Sequence, residues 1–222
     1  MARHRLRFTK TGRAVYLSHL DLMRTIQRVF QRAGVRIWHS EGFNPQAYIS
    51  AALPLSLGVE SMCELLDFEV VDDTPIEALP ELLNAKLPEG IVVLEAYETA
   101  RKVKELAWLR ITGTLEYDAL ADTEEMARTL EAFFKAGALL VTKQTKKKEA
   151  AEVDIAPLIR EIAFTPDGAH RVRMEAVIAA QNPGLNPNLL LEALGQRETG
   201  LMPDFVWFAR VEVYDGEMQI FC

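Results

Sequence analysis

One order of strand and helix patterns occurs twice along this chain of 222 residues, and that order restricts the fold more than any other feature. Alternating apolar and polar residues indicate strands, and apolar residues spaced three and four apart indicate helices. The first round reads strand, helix, strand, strand, helix, strand, in the segments "RHRLRF", "SHLDLMRTIQRVFQRAG", "VRIWH", "ELLDFEVV", "TPIEALPELLNAKLPEG" and "GIVVLEAYETA". This order is typical of the split β-α-β arrangement.

The second half of the chain repeats the order in a looser form, without repeating the residues themselves. Its segments are "LAWLRITGTLEY", "DTEEMARTLEAFFKAG", "ALLVTKQT", "VDIAPLIREIAF", "HRVRMEAVIA", "NPNLLLEALG" and "DFVWFARVEVYD", of which the fourth is compatible with an extended or a helical state. We therefore predict an α+β protein with two tandem ferredoxin-like (βαββαβ) domains, residues 1–103 and 104–222.

Composition and the terminal segment limit the compartment in which the protein works. Cys63 and Cys222 cannot form a disulfide framework, which is compatible with a reducing environment. The basic start "MARHRLRFTK" is not followed by a signal-type apolar segment, and no stretch approaches the roughly 20 apolar residues of a membrane helix. The sequence thus predicts a cytoplasmic protein that does not enter the membrane.

Positive charge is concentrated at the beginning of an otherwise acidic chain. The net charge is −7, but residues 1–40 carry +8 and residues 41–222 carry −15. A local field of this kind attracts anionic partners although the whole chain is acidic. The first domain is therefore the predicted basic-faced domain.

Five arginines in this basic region are candidate phosphate ligands. Arg3, Arg5 and Arg7 alternate along the first strand and point to one face, and Arg24 and Arg28 share a helix face at i, i+4. Guanidinium groups bind phosphate with two parallel hydrogen bonds and stack on bases, which suits RNA. The alternative is that these arginines form ion pairs with the acid-rich segment 60–98 or simply face water.

The segment "YLSHLDLMR" places two candidate acid–base groups in the first turn of that helix. A first helical turn has unpaired N–H groups that favour an anion, and a histidine titrates near neutrality. His19 and Asp21 are therefore candidate catalytic or ligand-contacting residues. The alternative is that Ser18 and Asp21 cap the helix and His19 only packs.

The segment "SEGFNPQAYIS" at residues 40–50 has the glycine and Asn-Pro composition of a shaped loop. Trp38, Phe43 and Tyr48 offer aromatic faces for base stacking, and Asn44 shapes the turn. The alternative is a plain connection in which Phe43 fills the core. The histidine spacing matches no metal motif, so we predict neither a metal site nor another cofactor in this chain. A further basic loop is predicted at Lys143–Lys148.

A resemblance to a known family is carried by four long segments, "YLSHLDLMRTIQRVFQRAGV", "SEGFNPQAYISAALPLSLGVES", "ELLDFEVV" and "VDIAPLI". These segments resemble the radical-SAM-linked domain family, a bacterial family of unknown function that occurs alone or fused to a radical-SAM enzyme. The family usually has His-Pro after "GFNP" and Arg-Pro after "VDI", where this chain has Gln46-Ala47 and Ala156-Pro157.

The resemblance implies a working connection to radical-SAM chemistry that this chain cannot perform alone. A radical-SAM cluster needs three cysteine thiolates, and the chain has two cysteines, so the cluster and its S-adenosylmethionine would belong to a partner.

We expect an accessory RNA-binding module that works with a radical-SAM enzyme acting on RNA or a ribonucleoprotein. Tandem ferredoxin-like domains also occur in pseudouridine synthases and in CRISPR repeat-processing endoribonucleases, which is an analogy of fold only. The alternatives are an RNA-processing or RNA-modifying enzyme using His19 and Asp21, and a protein-interaction subunit whose basic face docks on an acidic partner.

Overall fold

The computed structural model describes residues 3–119, 121–144 and 150–222, so most of the predicted basic loop lies outside the described residues. Within them the chain has four α-helices and mainly antiparallel strands, which confirms the α+β class. It divides into two units, Met1–Glu105 with Ile220–Cys222 and Leu106–Gln219. The boundary predicted from the sequence lies between residues 103 and 104, with the last three residues in the second domain.

The first unit contains four antiparallel strands and two α-helices. In chain order its elements are β1 (His4–Lys10), α1 (His19–Arg32), β2 (Ile49–Ala51), β3 (Glu60–Phe68), α2 (Leu79–Asn84) and β4 (Ile91–Glu98). Strand β1 lies between β3 and β4, and β2 pairs with the end of β3. The predicted strand "VRIWH" is reduced to two isolated bridges, Ile37 with Val70 and His39 with Ala47, and the second of these joins the segment to its own following loop and not to the sheet.

Helix α1 begins and ends where the sequence signals predict. The Ser18 hydroxyl accepts a hydrogen bond from the Asp21 N–H at 3.2 Å and donates one to the Asp21 carboxylate at 2.7 Å. The Ser18 side chain therefore caps the helix, whereas the Asp21 carboxylate accepts from the Ser18 hydroxyl and not from the Ser18 N–H, as a full capping box would require. The chain reverses after the helix at Gly34, whose φ of 76° favours glycine.

The core of the first unit lies between α1 and one face of the sheet. Leu22, Ile26 and Phe30 recur on one side of the helix and are buried. Phe30 has no exposed surface, and its ring lies 5.1 Å from that of the equally buried Phe68 on β3. Apolar burial of this extent supplies the main force that holds α1 on the sheet.

The second unit has a four-stranded antiparallel sheet and a separate hairpin. In chain order its elements are β5 (Leu106–Glu116), α3 (Thr123–Lys135), β6 (Leu140–Gln144), β7 (Ala150–Asp154), β8 (Ile159–Pro166), β9 (Arg171–Ala179), α4 (Asn188–Arg197) and β10 (Phe205–Asp215). The sheet order is β10-β5-β9-β8, and among the described strands β6 and β7 form a separate two-stranded sheet. Phe134 of α3 stacks on Phe164 of β8 at 5.5 Å.

The hairpin resolves the ambiguous segment "VDIAPLIREIAF". Its first residues end β7, Ala156–Leu158 form a 3-10 turn, and the rest is β8. The predicted strand "ALLVTKQT" belongs to the hairpin and not to the main sheet. Among the described residues, no helix combines the length and the apolar content that crossing a bilayer requires.

Tyr97 on β4 gives the first unit a predicted sensitivity to alkali. Its hydroxyl is buried without a hydrogen-bond partner among the described residues, and burial raises the pKa of Tyr97 from 10.0 to about 12. Between these two values the unfolded chain loses the phenolic proton and the folded chain keeps it. The free energy of unfolding should therefore fall as the pH rises through that window.

We expect Tyr97→Phe to remove its share of this alkaline loss and, near pH 8, to leave stability unchanged or about 1 kcal/mol higher. Urea unfolding near pH 8 and within the alkaline window measures the effect. Tyr117→Phe is the matched control, because the Tyr117 hydroxyl donates to the Leu201 carbonyl at 3.1 Å and burial also raises its pKa to about 12. A Tyr97→Phe protein with the full alkaline loss of the wild type would refute this account.

Candidate nucleic-acid interface

Arg5 does not lie on an open surface. Its side chain has no exposed area, its Nε donates to Asp67 Oδ1 at 2.6 Å, and its Nη2 donates to Asp67 Oδ2 at 3.3 Å. Nη2 also donates to the Arg101 carbonyl at 3.1 Å, and the guanidinium stands 4.9 Å from the Phe221 ring centroid. The assignment of Arg5 as an RNA contact is therefore corrected: the residue neutralises a buried carboxylate.

The two neighbouring strand arginines are also close to carboxylates of this chain. Arg3 is exposed, and its guanidinium lies 4.0 Å from Asp67. Arg7 is half-buried and lies 4.0 Å from Glu95. The register explains the arrangement, because β3 places Asp67 opposite Arg5 and β4 places Glu95 opposite Arg7. Ion pairing with segment 60–98, the alternative reading of this strand, is thus seen at all three positions.

The outer face of α1 carries a row of exposed positive charges. Arg24, Arg28 and Arg32 follow each other at i, i+4 spacing and are all exposed; we call these three residues the arginine ridge. Arg24 lies 3.6 Å from Asp21. Within the part of the chain that the structure describes, Arg28 and Arg32 have no carboxylate partner. Like charges at this spacing repel unless an anion lies among them.

A basic cavity of about 410 Å³ adjoins one side of this ridge. Arg13, Arg32 and Lys86 supply positive charge to its wall, and Glu89 supplies one negative charge. None of the three cations has an ion-pair partner among the described residues. The cavity therefore extends the positive surface from α1 to the 3-10 turn before it and to the end of α2.

His19 and Asp21 do not form an acid–base pair in a cleft. Both are exposed in the first turn of α1, and the Asp21 carboxylate is engaged by the Ser18 hydroxyl and by Arg24. His19 does not line the basic cavity beside the helix. The capping interpretation of Asp21 accounts for its contacts.

The loop after Trp38 projects an aromatic ring into solvent. Ser40 and Gln46 close its base, since the Ser40 N–H donates to the Gln46 carbonyl at 2.8 Å and the Gln46 N–H donates to the Ser40 hydroxyl at 2.9 Å. Phe43 at the tip is fully exposed, so it does not fill the core. Gly42 has a φ of 131°, which an L-residue rarely adopts.

Trp38, Tyr48 and Asn44 make contacts that hold the loop of Phe43 in place. Trp38 and Tyr48 are half-buried and meet edge to face, with ring centroids 6.1 Å apart. The Tyr48 N–H donates to the Trp38 carbonyl at 2.8 Å, which joins the two sides of the loop. Asn44 is exposed beside Phe43, and its carbonyl accepts a hydrogen bond from the Gln46 side chain at 3.4 Å.

The structure thus regroups the residues that the sequence singled out. Arg24 and Arg28 lie together, as do Trp38 and Tyr48. Of the strand arginines, Arg5 is buried, and Arg3 and Arg7 each lie 4.0 Å from a carboxylate. Sequence reasoning missed Arg13, Arg32 and Lys86 as site residues. A signal existed for Arg32, because the i, i+4 series from Arg24 continues to it; Lys86 is distant in sequence and gave none.

The described residues contain no cluster of three His, Cys, Asp or Glu side chains that could hold a metal ion. Cys63 is buried and Cys222 is exposed.

Comparison with known proteins finds a family but no function. A family model described as an uncharacterized protein conserved in bacteria, DUF2344, matches residues 3–187. A chain of a solved Cbf5-Nop10-Gar1 complex is similar with a TM-score of 0.55 and 9% identity, over 95% of this chain and 48% of that chain. This chain therefore spans about half of that one, and the likeness concerns the fold alone.

A second solved structure, a putative glycine cleavage system transcriptional repressor, has a TM-score of 0.27 and 12% identity, over 94% of this chain and 98% of that chain. So low a score carries no argument. No curated protein matches the chain.

Proposed function

The chain belongs to the DUF2344 family of bacterial proteins, and we propose that this member is an accessory RNA-binding module. The observation that carries the proposal is the arginine ridge on α1 together with the adjoining basic cavity. An exposed arginine can take up a phosphate and release a counterion, and Arg28 and Arg32 have no carboxylate partner among the described residues. This surface replaces the strand arginines as the proposed contact with the RNA backbone.

The projecting loop supports RNA over other polyanions. Single-stranded RNA exposes base faces, and an aromatic side chain stacks on them whatever their sequence. Phe43 is fully exposed on a loop whose base is closed by one backbone hydrogen bond and by one from the Gln46 N–H to the Ser40 hydroxyl, so its ring is presented to solvent at little cost in loop ordering. We assign Phe43 the stacking role and Trp38 and Tyr48 a supporting one.

We further propose that both units follow the ferredoxin-like plan. In the first unit the strand order β4-β1-β3-β2, antiparallel throughout, supports this assignment. In the second unit the order β10-β5-β9-β8 supports it once the β6-β7 hairpin is treated as an insertion. The likeness to a chain of the Cbf5-Nop10-Gar1 complex adds support at the level of fold only.

The partner we propose is a radical-SAM protein, on the ground of the resemblance of "SEGFNPQAYISAALPLSLGVES" and the related segments. With two cysteines, this chain cannot supply the three thiolates of the cluster, so the partner would hold it. The module would then position RNA, or RNA within a ribonucleoprotein, for the partner's reaction.

Binding of an unstructured oligouridylate at increasing salt tests the RNA proposal. We expect the logarithm of the association constant to fall linearly between about 50 and 200 mM salt, with a slope of about 0.7 for each phosphate bound. Arg28→Glu should weaken binding about tenfold or more at low salt and reduce the slope, because it removes one phosphate contact and adds repulsion.

Arg128→Glu on α3 is the matched control, since it makes the same change of charge on an exposed helix of the second unit. It should leave binding nearly unchanged. Equal losses in the two variants would mean that only total charge matters, and the absence of salt-dependent binding in the wild type would contradict the proposal outright.

A protein-interaction subunit is the second candidate, and exposed apolar side chains near the start of α1 favour it. Tyr16, Leu20 and Leu57 are 66%, 64% and 64% exposed. The Gly58 N–H donates to the Val15 carbonyl at 3.0 Å, which brings Leu57 near Tyr16. A protein of this second kind would show no salt-dependent affinity for oligouridylate.

A further inference from the structure

A second cavity, of about 420 Å³, lies on the opposite side of α1 from the basic cavity. Val35, Ile37 and Val71 give it an apolar lining. Gln27, Gln31 and His39 add polar groups, and Arg36, which lies 3.7 Å from Asp72, completes the wall. Its volume falls within the range of small-ligand sites, and a mainly apolar lining with a few polar groups is typical of them.

The polar groups of this cavity have unused hydrogen-bonding capacity. Gln27 and Gln31 lie at i, i+4 on α1, and within the described ranges neither side-chain amide has a hydrogen-bond partner. Each amide can donate and accept at once. Together they can follow the edge of a planar heterocycle, as glutamine does with adenine in nucleic-acid complexes.

His39 adds an acceptor at the same cavity. Its Nδ1 lies 2.9 Å from the Ile37 carbonyl, which can only accept, so Nδ1 must carry the proton in this hydrogen bond. In the neutral ring Nε2 is then left with a lone pair. Among the residues that the structure describes, nothing is bonded to Nε2. An acceptor in this position selects a ligand that donates, such as an exocyclic amine.

The cavity lies where it could receive a base from an RNA strand that is bound to the arginine ridge. At 100° per residue, Gln27 and Gln31 lie within about 100° of Arg24 and Arg28 around the helix axis. The ridge therefore separates the two cavities, and a backbone held by its arginines passes along the rim of the second one. The loop that carries Phe43 begins directly after His39.

We propose that this cavity binds an unpaired nucleobase with an exocyclic amino group, adenine in the first place. Val35, Ile37 and Val71 contact the ring, Gln27 and Gln31 hydrogen-bond its edge, and His39 Nε2 accepts from the amine. This inference deepens the proposed RNA function, since it gives the RNA site a base preference. The same chemistry would hold a free adenine nucleoside, so the test includes both sources.

The experiment measures binding of oligoadenylate, oligouridylate, adenosine and uridine to the full chain, by fluorescence anisotropy for the oligomers and ligand-observed NMR for the nucleosides. We expect oligoadenylate to bind about tenfold more tightly than oligouridylate, because each good pair of base contacts discriminates by about that factor or more. We expect adenosine, but not uridine, to bind at millimolar concentration.

Two variants locate the effect. Gln27→Leu/Gln31→Leu should abolish the preference for adenine and leave oligouridylate affinity unchanged, since it keeps the helix and the arginines. Val71→Tyr should do the same by filling the cavity from its other wall. Arg28→Glu should weaken both oligomers and leave adenosine binding unchanged, which separates a base within RNA from a free nucleoside.

The outcomes separate this inference from the RNA function on which it rests. Equal, salt-dependent binding of both oligomers with no adenosine binding would overturn the base pocket and keep the ridge. Adenosine binding without RNA binding would overturn the RNA function and keep a nucleoside pocket. A preference for adenine that survives both cavity variants would also overturn the assignment of this cavity.

Discussion

Asp67→Ala is expected to destabilise the protein by about 3–5 kcal/mol, which is a large share of the stability of a typical domain. Arg5 has no exposed surface and Asp67 is 3% exposed, so the substitution leaves a buried guanidinium without its counter-charge. Among the described residues, the contacts that would remain to the guanidinium are the Arg101 carbonyl and the Phe221 ring, and neither carries a negative charge. Urea unfolding of the variant and the wild type measures the difference.

Two further proteins make this result interpretable. Glu95→Ala is the matched control, because it removes the half-exposed partner of Arg7, 4.0 Å away, and should cost no more than about 1 kcal/mol. Arg5→Met/Asp67→Leu removes both charges and should regain much of the loss. If the free energy of unfolding of Asp67→Ala lies within about 1 kcal/mol of that of the wild type, Arg5 and Asp67 do not form a buried ion pair.

Phe30→Ala is expected to cost about 3–5 kcal/mol, since it removes a large ring from a closely packed site. Phe30 is 0% exposed and meets Phe68 with ring centroids 5.1 Å apart, so α1 loses its main anchor on the sheet. Chemical denaturation gives the stability change. The arginine ridge lies on the same helix, so it loses its structure when α1 unfolds. RNA affinity should therefore fall in proportion to the unfolded fraction.

Leu20→Ala serves as the control on the same helix, because Leu20 is 64% exposed and should change stability by no more than about 0.5 kcal/mol. Phe30→Leu keeps most of the volume and should cost less than Phe30→Ala. A Phe30→Ala protein as stable as Leu20→Ala would mean that α1 is held by other contacts.

Local signals predicted the elements of the first unit well. Ser18 and Asp21 marked the start of α1. The helical spacing of Ile26, Val29 and Phe30 marked its buried side, whereas Leu20, expected in the same apolar stripe, is exposed. These features depend on residues close together in the sequence, which is why a pattern can show them. The hairpin β6-β7 in the second unit was not foreseen, because strand periodicity does not tell which strand will be the neighbour.

The role of Arg5 could not be decided from the sequence. Its alternation with Arg3 and Arg7 correctly put it on the face of β1 opposite Leu6, but whether that face is exposed to solvent depends on what covers it. Asp67 is 62 residues away, and Phe221 comes from the end of the chain. Burial and partner choice are products of long-range packing, so the choice between an ion pair and a phosphate ligand needed the structure.

The candidate site shows the same division between near and distant information. The i, i+4 series from Arg24 to Arg32 could be read directly, whereas the adjoining Lys86 and the cavity lining residue Val71 come from other elements. The loop composition predicted a shaped turn, but not that Phe43 would be fully exposed. Whether an aromatic side chain is exposed depends on the packing of the whole unit.

Crosslinking of bound RNA to the full chain, followed by mass analysis of the modified peptides, tests the central claim that the outer face of α1 and the neighbouring loop form an RNA interface. We predict crosslinks in residues 19–32 and 38–48, with loss of those crosslinks in Arg28→Glu. Crosslinks confined to Leu106–Gln219, or a pattern that Arg28→Glu does not alter, would contradict it.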